Sequence, residues 1–380
     1  MVGAKMNFNK TRPAFIEINL KALSDNYQLI RDDIPEDTMV ASVVKADAYG
    51  HGAVEAAKCL ISCGTDYLAV ACPEEALELR KAGIETKIIV LGEVLPEQYD
   101  LIIEQKLIQT AASIKTLEGL NRKAATRNII QPVHIKIDTG MGRIGFFPQE
   151  INEVFNRIKS LDNIKVEGVF THFASADEKD KSYARKQWDI FQSTLEKIEK
   201  MGFKIAVKHA ANSAAVIDLP GKALNMVRPG IMLYGMYPSD EVKKRFELKP
   251  VLSFKSKIVQ IRELKAGSKI SYGSTYITKN KERLAVLPIG YKDGYLRILS
   301  NKADVLINGK RAAVRGRICM GQVVVSLENI AEAEIGDEVV LIGKQGNEEI
   351  KAAELANIAK TINYEITCAL SSRLRKIYER

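Results

Sequence analysis

At 380 residues the chain is longer than a single hydrophobic core usually organises, so one large and one smaller domain are expected. Apolar residues at 46% and charged residues at 27% exclude a disordered or fibrous chain. The net charge of +9 is spread thinly, with Lys243-Lys244-Arg245 and Arg373-Leu374-Arg375-Lys376 the densest stretches, so no nucleic-acid partner is expected.

No run approaches the roughly 18–20 apolar residues that span a bilayer, and the opening MVGAKMNFNKTRPAFIEINL has no signal-peptide core. A cytoplasmic protein without a membrane partner is expected. The five cysteines, Cys59, Cys63, Cys72, Cys319 and Cys368, are an odd, sparse set without the paired spacings of a zinc site, so reduced thiols and no metal are expected.

In chain order, eight strand-like runs alternate with longer helix-like runs: 39–45, 67–70, 87–91, 108–111, 133–137, 166–171, 207–209 and 226–234. Helices are predicted between them over 53–62, 73–82, 96–106, 114–126, 151–159 and 181–201. Eight such units close a (β/α)8 barrel, with an open doubly wound sheet as the alternative. After Pro250 the texture turns to strands without long helices, at 252–261, 283–288, 303–307, 312–314, 323–327 and 338–341, punctuated by Asn308-Gly309 and Gly336-Asp337. A helix is predicted over 352–360 and a last strand over 362–369. The organisation expected is an α/β chain, with a barrel domain over 14–244 and a mainly-β domain over 245–380 that takes in 1–13.

In a barrel the reacting groups gather at the C-terminal strand ends. Lys45 ends the first run; Lys136, Asp138 and Arg143 follow the fifth; His172 the sixth; His209, Asn212 and Ser213 the seventh; Arg228 the eighth. A strand-end lysine is ordinarily a solvated terminator, yet a partly desolvated one can attack a carbonyl. Asn212-Ser213 and Arg228-Pro229-Gly230-Ile231 place a hydroxyl and backbone amides where barrels often hold a phosphate, although alone they read as a helix cap and a turn. Of the four histidines, His134 sits mid-strand and reads as packing. Metal ligation lacks the companion carboxylate or cysteine pattern.

Five segments of this half, VKADAYGHG (44–52), KIDTGMGRIG (136–145), THFA (171–174), HAANSAA (209–215) and VRPGIMLYG (227–235), resemble bacterial alanine racemases in order and spacing. So do ISYG (270–273), PIGY (288–291), GRICM (316–320) and INYE (362–365) in the second half. The resemblance implies a pyridoxal-5′-phosphate (PLP) enzyme that interconverts L- and D-alanine and serves D-alanine supply. It also implies a homodimer whose sites are shared. Lys45 then matches the Schiff-base lysine, and Tyr272 the tyrosine reaching in from the other subunit; a racemase needs a base on each face of the substrate, and these two are the candidates. Arg228 matches the group facing the pyridine nitrogen, supported by His209, with His172 near the ring. Tyr49, Ser213, Gly230, Ile231 and Tyr364 match the phosphate cradle, with Asn212 beside it. Arg143 and Met320 match groups that hold the substrate carboxylate. Tyr291 and Tyr364 match aromatic residues that narrow the entrance, with Asp177, Arg297 and Arg317 further out. Lys136 matches a position that carries a carbamate in some relatives.

The chain departs from the family pattern at Gly321, where an aspartate is usual, at Lys292, where alanine is usual, and in lacking a terminal Val-Pro. The added positive charge implies a slower or broader racemase, tolerant of serine or another polar amino acid. Three further readings compete: another PLP enzyme of the same fold type, a barrel-only PLP-binding protein, and a phosphate-sugar isomerase. The second domain with Tyr272 and Met320, together with Lys45 and Arg228, argues against them.

Overall fold

The computed structural model describes residues 12–380. Residues 1–11 of the segment assigned to the β domain lie outside it. The described chain forms two units, one of Leu23–Ala48 and Gly52–Lys249, the other of residues 12–22, Tyr49–His51 and Pro250–Arg380. Strand β1 (Phe15–Asn19) belongs to the second unit, where it pairs with β10 (Leu252–Lys257) and β20 (Arg375–Glu379). Its alternating burial, with Ile16 and Ile18 inward, gives a strand that can cover one face of a sheet. This stretch stood at the start of the expected barrel domain; its hydrogen bonds place it in the second unit's sheet.

The first unit is a closed barrel of eight parallel strands: β2 (Met39–Val43), β3 (Tyr67–Val70), β4 (Lys87–Val90), β5 (Ile108–Ala111), β6 (Gln131–Lys136), β7 (Ile164–Phe170), β8 (Val207–Asn212) and β9 (Met226–Arg228). Closure is made by β2 on β9, with Met39 opposite Met226 and Val40 opposite Val227. An open doubly wound sheet has no such pair, so the barrel expectation holds. Short, largely apolar strands such as Tyr67–Val70, buried at every position, are what a sheet covered on both faces requires. Ala41, Tyr67, Ile89, Ile108, Val207 and Met226 pack together as a buried apolar cluster.

The second unit holds a seven-stranded sheet in which β16 (Lys310–Ala313), β15 (Asp304–Ile307), β18 (Glu338–Gln345), β10, β1 and β20 run in that order, with β19 (Glu348–Ile350) on β18. Beside it are a three-stranded sheet of β11 (Gln260–Leu264), β14 (Glu282–Leu287) and β17 (Val323–Ser326), and a pair of β12 (Lys269–Ile270) and β13 (Tyr276–Ile277).

Three local expectations change. The run 226–234 is a strand only to Arg228, because Pro229 cannot donate to the ladder and a 3-10 turn, Ile231–Tyr234, follows. The run 252–261 divides into β10 and the start of β11. The expected strand 362–369 is a helix, Asn363–Cys368: its β-branched composition suggested a strand, but burial falls at 363, 366, 367 and 370, the helical period.

Candidate active site

The mouth of the barrel begins at Lys45, half-buried just past β2. Directly after it Ala46, Asp47, Ala48 and Tyr49 take left-handed backbone angles, φ 53–55°, a conformation that costs roughly 1–2 kcal/mol per L-residue. The first part of the turn is held by its own bonds. Ala46 N donates to Glu75 Oε1 at 2.8 Å, Ala48 N to Val44 O at 2.9 Å, and Asp47 Oδ1 accepts from Ala53 N at 2.8 Å. Strain retained at one strand end marks a position where backbone direction matters.

After β6 the chain folds back on itself, with Asp138 N donating to Phe146 O and Phe146 N to Lys136 O, both at 2.9 Å. Gly145, at φ 125°, closes this loop; a Cβ there would lie 2.8 Å from Asp138 N. The Asp138 carboxylate gathers the loop amides of Gly140, Met141 and Gly142 on Oδ1 at 2.8–3.1 Å and that of Arg143 on Oδ2 at 3.2 Å. Burial alone would raise its pKa, but the amides of Gly140, Gly142 and Met141, with Lys136, outweigh burial and leave it lowered. Asp138 therefore builds the loop that carries the exposed Arg143.

Lys136 is buried; burial first, then Arg228, pushes its ammonium down to about 7. Its Nζ lies 5.3 Å from the centre of the Phe170 ring. Arg228, at the end of β9, is also buried. Burial brings its guanidinium to about 9, which leaves it cationic at neutral pH. Nη1 donates to His209 Nδ1 at 2.6 Å, while Nη2 reaches Thr171 O at 2.9 Å, Ala210 O at 3.0 Å and His172 Nδ1 at 3.2 Å. A guanidinium has five N–H groups. After these bonds Nε–H and one Nη1–H remain for another acceptor. Burial and then Arg228 hold His172 and His209 well below the usual histidine range, so both are neutral acceptors.

Ser213 Oγ accepts from Gly230 N at 2.8 Å and from Met232 N at 3.5 Å, and Asn212 caps the following helix by accepting from Ala215 N at 3.0 Å. With Ile231 buried in the next turn, this brings a hydroxyl and backbone amides together beside the end of β9. The mouth thus combines Lys45, Lys136, Arg143 and Arg228, while the carboxylates of Asp47, Glu75 and Asp138 are engaged by backbone amides. Such a cluster suits an anionic ligand, and the donors fit PLP: amides and a hydroxyl for a phosphate, spare guanidinium N–H groups for a ring nitrogen, and an amine for a carbonyl.

In the second unit Tyr49 packs on Tyr364, ring centres 5.9 Å apart. Elsewhere in that unit the turns bearing Tyr272, Tyr291 and Met320 adjoin. Tyr291 N donates to Cys319 O at 3.1 Å, Lys292 N to Met320 O at 3.1 Å, and Ser271 Oγ to Arg317 O at 2.5 Å. Asp293, fully buried, fixes the middle turn by accepting from Gly290 N at 2.9 Å and Arg373 Nε at 2.7 Å, and by pairing with Arg12. The site side chains point to water: Tyr272 is 71% exposed, Met320 61% and Tyr291 41%.

Sequence reading missed two participants. Phe170, stacked on His209 at 4.6 Å, is indistinguishable in sequence from any strand aromatic. His134 was read as packing; its Nδ1 lies 2.9 Å from His209 Nε2, a pairing across β6 and β8 that no local spacing announces.

The family model described as alanine racemase, N-terminal domain, matches residues 18–238, and that described as alanine racemase, C-terminal domain, matches 251–378. A curated alanine racemase from Halothermothrix orenii is 50% identical over 374 residues, 98% of this chain and 99% of the relative. Among solved structures, the alanine racemase of Clostridium difficile 630 is 44% identical with a TM-score of 0.93, covering 97% of this chain and 96% of that one. One from Bacillus anthracis, with bound L-Ala-P, is 38% identical with a TM-score of 0.93, covering 97% and 95%. The chain belongs to the alanine racemase family, and it is an amino-acid racemase of that kind.

Proposed function

We propose that the chain racemises alanine with PLP, using Lys45 and Tyr272 of the partner subunit as the two bases. The observation that carries this reading is the barrel mouth itself: a desolvated Arg228 with N–H groups to spare, beside a strand-end lysine and the Ser213 hydroxyl that gathers the Gly230 amide. PLP supplies an electron-withdrawing ring that makes the Cα proton of an amino acid removable. The protein's part is to bind, orient and move protons. Lys45 Nζ holds the proton on one face of Cα, and the Tyr272 hydroxyl on the other. Arg228, cationic and donor-only, would face the ring nitrogen of bound PLP with its spare N–H groups and would keep its own proton. Ser213, Gly230 and Ile231 take the phosphate, and the resemblance assigns Tyr49 and Tyr364 to it as well. Arg143 and the Met320 backbone steady the substrate carboxylate, with Tyr291 restricting side-chain size. The relatives' names favour alanine over serine as substrate.

The exposure of Tyr272, Met320 and Tyr291 supports a homodimer in which each chain completes the other's site. Mixing tests this: Lys45→Ala and Tyr272→Phe chains, each inactive alone, should recover about a quarter of wild-type activity when refolded together, since half of the random dimers hold one intact site of two. Purified wild type should turn yellow with PLP and lose the optical rotation of L-alanine. Absence of both sinks the reading.

Lys136 supports a second feature of the same site. With its ammonium held near 7, a substantial neutral fraction is present to take up carbon dioxide as a carbamate, whose charge would orient Arg143. A native mass showing no added carbon dioxide under bicarbonate removes it.

A further inference from the structure

We propose that His134 is a positioning residue for the racemisation: its Nδ1 holds His209 as the Nε2–H tautomer and thereby keeps His209 Nδ1 an acceptor for Arg228.

The hydrogen-bond chain permits one arrangement of protons. A guanidinium only donates, so the 2.6 Å contact from Arg228 Nη1 requires a lone pair on His209 Nδ1. A neutral imidazole with a bare Nδ1 carries its proton on Nε2. That proton faces His134 Nδ1 at 2.9 Å, which must accept it, and the proton of His134 is left on Nε2. His134 Nε2 is buried and has no hydrogen-bond partner among the described residues. The chain Arg228, His209, His134 is therefore directional. Were His209 to turn over to the Nδ1–H form, two donors would face each other at the guanidinium.

Packing holds both rings in this register. A Cβ at position 168 would come within 2.7 Å of His134 Cδ2 and Nε2, so Gly168 is the seat on which the imidazole lies. Phe170 stacks on His209 with planes 6° apart. The charges facing the pair also favour neutral rings. Burial pushes His134 down to about 4 with Arg228 on β9 and Lys87 on β4 adding to it and Glu167 on β7 opposing; His209 feels burial, Arg228, His134 and Lys136 in the same direction. The racemase consequence rests on the reading that Arg228 faces the ring nitrogen; the tautomer pattern does not.

The chain has four histidines, so 15N-histidine spectra of the full chain without ligand can be assigned one variant at a time. His209 is expected as a neutral Nε2–H ring and His134 likewise at pH 7. A protonated Nδ1 on His209, or an imidazolium, overturns the proposal. His134→Phe keeps the ring but removes the acceptor; His134→Asn places Oδ1 near the position of Nδ1. The first should lower kcat with PLP by about ten- to a hundredfold at little change in KM for alanine, and shift the His209 signals. The second should stay within about threefold of wild type and keep them. Equal losses in the two variants, or none in His134→Phe, overturn the proposal. A wild type that racemises nothing after PLP is added overturns the parent reading instead, while the tautomer pattern still decides this one.

Discussion

The barrel mouth and the exposed turns of the second unit carry the proposed site residues in opposite states. At the mouth Arg228, Lys136 and His209 are buried, and Arg228 is held by His209, Thr171 and Ala210 with Nε–H and one Nη1–H left over. On the turns Tyr272, Tyr291 and Met320 stand in water, and it is the backbone beneath them that is hydrogen-bonded. The first is what a desolvated electrostatic site requires, because fixed donors act most strongly where water is excluded. The second is a hydrogen-bonded surface bearing exposed side chains, which the proposed homodimer would bury. Substitutions should divide accordingly: at the mouth activity and stability fall together, and on the turns activity falls alone.

The sharpest separation is Tyr272→Phe. Removing one hydroxyl from a side chain 71% exposed should leave the denaturation midpoint within about 0.5 kcal/mol of wild type. Racemisation should fall by about 10²–10⁴, the usual worth of a placed acid–base group. A stability loss beyond 1–2 kcal/mol would show that the chain folds against that ring, and the comparison would break. Arg228→Met is the counterpart. It leaves His209 Nδ1, Thr171 O and Ala210 O without their donor, each worth about 1–3 kcal/mol when buried, against the relief of removing a buried charge. A net loss of about 1–3 kcal/mol is expected in urea unfolding, together with lost activity. An Arg228→Met chain as stable as wild type would mean that the mouth is not tightly organised.

The barrel and the strand-end lysine were legible because they are local signals. Eight apolar runs at regular spacing and polar residues at their ends can be counted along the chain. Non-local pairings were not legible. Phe15–Asn19 reads as any short strand, and only its register against Leu252–Lys257 and Arg375–Glu379 assigns it to the second unit's sheet. Asn363–Cys368 has a strand's composition and a helix's burial, so tertiary packing overrode propensity. The roles of Asp138 and His134 depend on what they touch. The proposed catalytic pair was reached through resemblance: position alone raised Lys45, while Tyr272, in a short turn, had no chemical signal of its own.

The buried histidines also give the mouth a pH signature. His134 falls from 6.5 to about 4 in the fold, and His172 and His209 lie well below 6.5. Between those values the unfolded chain binds more protons than the folded one, so stability is full above pH 6.5 and is lost as pH falls through the window. His134 alone accounts for roughly 3 kcal/mol by pH 4. Urea midpoints at pH 7.5, 6 and 5 should decline steadily. A flat profile would show that the rings are charged in the fold, against the proton arrangement at Arg228.

The smallest effect is expected at Gly321, which adjoins the exposed Met320. The family's usual aspartate there led the sequence reading toward a broader substrate range, yet a Cβ at Gly321 meets nothing within 4 Å. In the single chain an added carboxylate in Gly321→Asp therefore enters open space, where solvent and salt screen it; burial by a partner copy would raise its effect. At about 0.5 kcal/mol or less, its influence on kcat/KM should stay within roughly threefold for alanine and for serine, with alanine preferred in both chains. A change of tenfold in the alanine-to-serine ratio would mean that the carboxylate acts from a desolvated position. That would place the solvent-facing turns in the same electrostatic regime as the barrel mouth.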